Sequence, residues 1–146
     1  MTHSSVRSMT KVLSVAVPMF ALILTGCATT RTTGGSLASI EIERKQQMSS
    51  SDCPVSVKIF NRMSGIAWDG VSYHLALRNK SGVVIGELQD IPLRYTEPGY
   101  GIVVSSQVQG ARCEEITGVS LLYFGYYPTG QGQVRLSNSV VTAELR

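Results

Sequence analysis

The sequence predicts an antiparallel all-β sandwich, and three observations carry that expectation. Apolar residues through most of the chain alternate with polar ones at period two, the signature of strands with one buried face. Turn residues, chiefly Gly, Pro, Asn and Ser, recur at intervals of about ten residues. After the N-terminal apolar run, no stretch sustains the apolar repeat of an amphipathic helix. A small closed barrel is the alternative architecture.

The elements follow in order. Cys53, Val55, Val57 and Ile59 alternate with Pro54, Ser56, Lys58 and Phe60 and form the first core strand, closed by a turn over residues 61–65. Trp68 precedes a run in which Val71, Tyr73, Leu75 and Leu77 face inward while Ser72, His74, Ala76 and Arg78 face out. Asn79-Lys80-Ser81-Gly82 turns that run into residues 83–88, which makes the clearest hairpin in the chain. Ile91-Pro92-Leu93-Arg94-Tyr95 alternates but contains proline, so it belongs at a sheet edge or on a crossing between sheets. Pro98-Gly99 makes a turn, and residues 102–108 form a β-branched strand. Residues 116–127 are apolar on both parities, with Val119, Leu121 and Tyr123 on one and Leu122, Phe124 and Tyr126 on the other, which predicts a central strand covered on both faces. After a Gly-rich loop, residues 134–145 form one longer strand or a pair broken at Asn138.

The first 51 residues have a different character. Arg7 and Lys11 precede an apolar run over residues 12–24, too short to span a bilayer and interrupted by Pro18. The run ends in Leu24-Thr25-Gly26-Cys27. This resembles the lipobox of bacterial lipoproteins, which implies cleavage before Cys27 by signal peptidase II and attachment of diacylglycerol and an N-acyl chain to that cysteine. The family's sorting rule, applied to Ala28 in place of Asp, implies export to the outer membrane, and the domain is expected to face the periplasm, with the cell surface as the alternative. The resemblance thus divides the chain into a signal peptide (residues 1–26), a polar tether (27–51) and a sandwich domain (52–146). Within the tether, Ile40-Glu41-Ile42-Glu43 alternates and suggests one short edge strand.

Charge and cysteines narrow the chemistry. The formal charge of the whole chain is +3. Arg31, Lys58, Arg78, Arg94, Arg112 and Arg135 are scattered, so no patch for nucleic acid is expected. With Cys27 assigned to lipid, Cys53 and Cys113 remain, and an exported location favours a disulfide between them. Such a bridge would close a loop of about 60 residues and stabilise the fold by about 4 kcal/mol on the chain-entropy model. A metal centre is the competing reading, but two isolated cysteines and His74 do not supply zinc-ligand spacing. No metal or other cofactor is expected beyond the covalent lipid. The order Cys53, Trp68, Cys113 is similar to the pattern of immunoglobulin-like domains, which implies a bridge between sheets with Trp68 packed near it. No Tyr stands two residues before Cys113, so the tyrosine corner of that family is missing.

Catalytic groups are sparse. His74 lies on an outward parity without a nucleophile motif, and the adjacent Glu114 and Glu115 would point to opposite faces of an extended segment. The Gly99-Tyr100-Gly101 and Gly130-Gln131-Gly132 stretches lack the Lys-Ser/Thr of a nucleotide loop. No enzymatic activity is therefore expected. Tyr126 and Tyr127, with Tyr100 if its turn lies at the same end, form the candidate surface for a protein partner, since aromatics bury large areas at small entropic cost. The expected role is a lipid-anchored, non-enzymatic interaction or assembly module of the cell envelope. The alternative, by analogy with other small disulfide-bonded lipoproteins, is an inhibitor of a cell-wall-degrading enzyme such as lysozyme.

Overall fold

Residues 35–45 and 51–146 are described by a computed structural model, and they form eight strands in two four-stranded sheets. The strands are β1 (Ala38–Arg44), β2 (Cys53–Asn61), β3 (Trp68–Arg78), β4 (Val84–Asp90), β5 (Gly101–Val108), β6 (Gly118–Pro128), β7 (Val134–Arg135) and β8 (Val141–Leu145). One sheet has the order β5-β2-β1-β8 and the other β4-β3-β6-β7. All neighbours are antiparallel except β1 and β8, which run parallel. The signal segment of residues 1–26 and Cys27 lie outside the described residues, as does most of the tether.

Alternation explains the core directly. Ile40, Ile42, Val55, Val57 and Ile59 from the first sheet meet Val71, Tyr73, Leu75, Leu77 and Phe124 from the second, all essentially without solvent contact. The β3–β4 hairpin forms as its turn residues predict, with Leu75 opposite Leu88. Residues 91–96 cross from β4, an edge of one sheet, to β5, an edge of the other.

The short strand expected at an edge is instead interior. β1 lies between β2 and β8, with Ile40 paired to Ile59 and to Ala143. The sandwich therefore begins at Ala38 rather than at residue 52, and the polar-tether reading ends before that point. The reason is local: only Ala38, Ile40 and Ile42 face the core, while Glu41 and Glu43 belong to the solvated outer face. That alternation is visible in the sequence, whereas the pairing with β8 that makes β1 interior is not.

β6 is central, as its density of apolar residues predicts, but it is not covered equally on both faces. Leu75 pairs with Leu121 and His74 with Tyr123, so Leu122 is an extra residue and forms a bulge. The bulge switches parity. Val119 and Leu121 face the core before it, Phe124 and Tyr126 after it, and Leu122 is left exposed.

Cys53 and Cys113 are joined by a disulfide with their Cα atoms 4.8 Å apart. The bridge ties the first residue of β2 to a 3-10 turn (Cys113–Glu115) on the crossing from β5 to β6. Arg44 of β1 reinforces that crossing, its Nη1 donating to the Ile116 carbonyl at 2.8 Å. Trp68 does not pack near the bridge. It sits at the other end of the sandwich, where its backbone pairs with Thr96 and its ring meets Phe124 and Tyr126 at 5.9 and 5.7 Å.

Candidate functional site

The Trp68 end of the sandwich is built around Asn61, the last residue of β2 and fully buried. Its Nδ2 donates to the carbonyls of Ile66 at 2.7 Å and Thr96 at 3.3 Å, and its Oδ1 accepts from the Met63 amide at 3.0 Å. Its backbone amide donates to the Tyr100 carbonyl, and its carbonyl accepts from the Gly99 amide, both at 2.8 Å. One residue thereby fixes three separate segments, the β2–β3 loop and the crossing after β4 through its side chain and the turn before β5 through its backbone. Gly99 has φ of +83°, which the turn after Pro98 requires and which side chains with a Cβ resist.

These segments hold apolar side chains in solvent. Leu93, Tyr95 and Tyr100 are 71%, 60% and 66% exposed, and Ile66 on the β2–β3 loop is exposed as well. Leu93 lies over Gly70, where a Cβ would come within 2.8 Å of its Cδ2. The absence of a side chain at Gly70 thus makes room for the crossing strand. Asp69 anchors the neighbouring loop, its carboxylate accepting from Thr129 Oγ1 and the Gly130 amide, each at 3.2 Å.

The three tyrosines expected to bind a partner all lie at this end but differ in exposure. Tyr100 is exposed at this end, as its turn suggested. Tyr127 is half-buried and paired across the sheet with Gly70. Tyr126 is only 7% exposed and packs on Trp68, so it is a core residue and does not offer a contact surface. The parity switch at Leu122 is what turns it inward. Leu93 and Tyr95 take its place. Their signal was present in the alternation of residues 91–95, where a crossing segment keeps its apolar side chains without a sheet to cover them.

Elsewhere, His74 is on the outer face as expected, its Nε2 2.8 Å from Glu87 Oε2. Glu114 and Glu115 both engage Arg112. The Glu115 carboxyl is held below its ordinary range by the Arg112 backbone amide and then its guanidinium. Glu43 is lowered by its hydrogen bond to Lys58, at 2.8 Å. Tyr73 is pushed up to about 12, first by burial and then by the charge of Asp90. None of these groups lies at the Trp68 end. Among the described residues, no group of three or more His, Cys, Asp or Glu side chains could hold a metal ion, and no helix is long and apolar enough to cross a membrane.

Fold and site together define an all-β sandwich with a rigid, apolar loop end. No family model matches the chain, and no curated protein matches it in sequence. Among solved structures it is similar to IrmA from Escherichia coli, at 13% identity over 73% of this chain and 91% of that one, with a TM-score of 0.47. It is also similar to a Bordetella pertussis protein provisionally named ApaA, at 15% identity over 68% of this chain and 86% of that one, with a TM-score of 0.37. These scores describe a loose likeness in shape and no more.

Proposed function

We propose that this chain is an outer-membrane lipoprotein, anchored through Cys27, whose periplasm-facing sandwich binds an envelope protein partner at its Trp68 end and catalyses no reaction. The observation that carries the binding role is the set of exposed Leu93, Tyr95 and Tyr100 side chains on segments pinned by Asn61. Apolar and aromatic groups already held in place lose little entropy on docking, which is what makes such residues dominate interface energetics. The anchor rests on the lipobox-like Leu24-Thr25-Gly26-Cys27. We read the body as immunoglobulin-like, because β1-β2-β5 and β3-β6-β7 keep the neighbour order A-B-E and C-F-G of that class.

A photo-crosslinking amino acid placed at Tyr100 or Tyr95 of the full-length protein in intact cells tests the binding role. One discrete protein adduct is the expected result, and it should be absent when the probe replaces Lys80, exposed in the β3–β4 turn at the opposite end of β3 from Trp68. No adduct at either tyrosine overturns the proposal. Adding the full-length protein to a panel of muramidases addresses the inhibitor alternative, which loss of lysis would favour. For the anchor, Cys27→Ser is expected to leave an unprocessed precursor without lipid; a processed, membrane-bound Cys27→Ser protein would refute the lipobox assignment.

A further inference from the structure

The outer face of the β5-β2-β1-β8 sheet carries a cavity of about 280 Å³, near the lower end of ligand pockets. Ser36, Ser39, Glu41, Arg62, Glu144 and Arg146 contribute to its walls. Arg62 is aimed rather than free. Its Nε donates to Ser39 Oγ at 2.8 Å and its guanidinium lies 5.7 Å above the Phe60 ring. It makes no ion pair among the described residues, so its terminal nitrogens remain available as the two-pronged donor that suits a carboxylate.

The opposite wall has the reverse charge. Glu41 and Glu144 stand side by side in the β1–β8 register, and a single guanidinium, that of Arg146, serves both at 3.1 and 3.8 Å. Two carboxylates sharing one cation leave a net negative end, and Arg62 leaves a net positive one. Ser39, which holds the Arg62 guanidinium, is two residues from Glu41 along β1, a separation of about 7 Å at ordinary strand rise. The two ends of an extended dipeptide match it, since each residue adds up to about 3.5 Å.

We infer that this cavity binds a short zwitterionic peptide, its carboxylate on Arg62 and its ammonium on the Glu41 and Glu144 carboxylate oxygens that Arg146 leaves open. The cavity lies where this outer face meets the β2–β3 loop that carries Arg62, and the inference depends neither on the anchor nor on a protein partner at the Trp68 end.

The test is a titration of the isotope-labelled full-length protein, followed by amide chemical shifts, with L-alanyl-L-alanine, its N-acetylated form and acetate as separate probes. The free dipeptide is expected to shift the amides of Ser39, Glu41 and Glu144 in a saturable way, and the acetylated form to bind about tenfold more weakly, as loss of one charge-assisted hydrogen bond implies. Arg62→Gln should weaken the free dipeptide by a similar factor while keeping its preference over the acetylated form. Glu144→Gln should instead abolish that preference. Equal responses to acetate and to both dipeptides would reduce the site to an adventitious anion contact and overturn the inference, as would the absence of any saturable shift.

Discussion

Asn61 shows how much one polar side chain can organise when it is buried and fully engaged. Asn61→Ala removes three hydrogen bonds of the side chain and leaves the Ile66 carbonyl and the Met63 amide to find other partners, while the Thr96 carbonyl keeps the Trp68 amide. The expected cost is about 1–3 kcal/mol for each group left unsatisfied, read as a lowered urea midpoint. Proteolytic nicking should appear in the loops it holds, and crosslinking from Tyr100 should fall with it. Tyr73 makes a different prediction. Its hydroxyl is buried, lacks a hydrogen-bond partner among the described residues, and has its pKa raised from 10.0 to about 12. The folded state therefore keeps this proton to higher pH than the unfolded state does. Its contribution is complete below pH 10 and is lost as the pH rises toward 12, at up to about 1.4 kcal/mol per pH unit. Denaturation midpoints measured across that range should fall steeply in the wild type and less so in Tyr73→Phe, which at neutral pH should be close to neutral in stability. At this scale Tyr100 was legible in the sequence because a Pro-Gly turn announces exposure. Tyr126 was not, because its orientation depends on a bulge four residues earlier.

At the scale of elements, strands with long alternation were legible and those whose meaning depends on a distant neighbour were not. β3 and β4 carry both a period and a turn, so sequence alone specifies their pairing. β6 displayed its centrality but concealed the parity switch, because apolar residues on both faces of a strand and apolar residues on one face of a bulged strand give the same composition. β1 was recognised as a strand and misplaced as an edge, since nothing within seven residues reveals that β8 will pair on its far side. The disulfide belongs to this scale as well. It was anticipated from cysteine number and compartment, and it secures a crossing between sheets rather than the Trp68 neighbourhood that the immunoglobulin pattern implied. Cys53→Ala with Cys113→Ala should lower stability by about 4 kcal/mol in denaturant titrations. The loss should fall on the Ile116 crossing first, visible as faster amide exchange there than at Asn61.

For the whole molecule, the two-sheet architecture followed from alternation and turn spacing, while strand order did not, because order is a property of long-range pairing. The candidate site has the same status: its residues were partly visible, but their convergence on one end depends on three segments meeting at Asn61. The parallel contact of β1 with β8 has a consequence for how such a chain is made. Ile40 and Ile42 enter the core from a strand flanked on one side by residues about a hundred positions later. A chain delivered N-terminus first through a secretion channel would thus hold its opening strand half-clothed until Leu145 had emerged. Final closure would then wait for the end of delivery, and any chaperone that shields bare strand edges would have its longest engagement at Ala38 to Arg44.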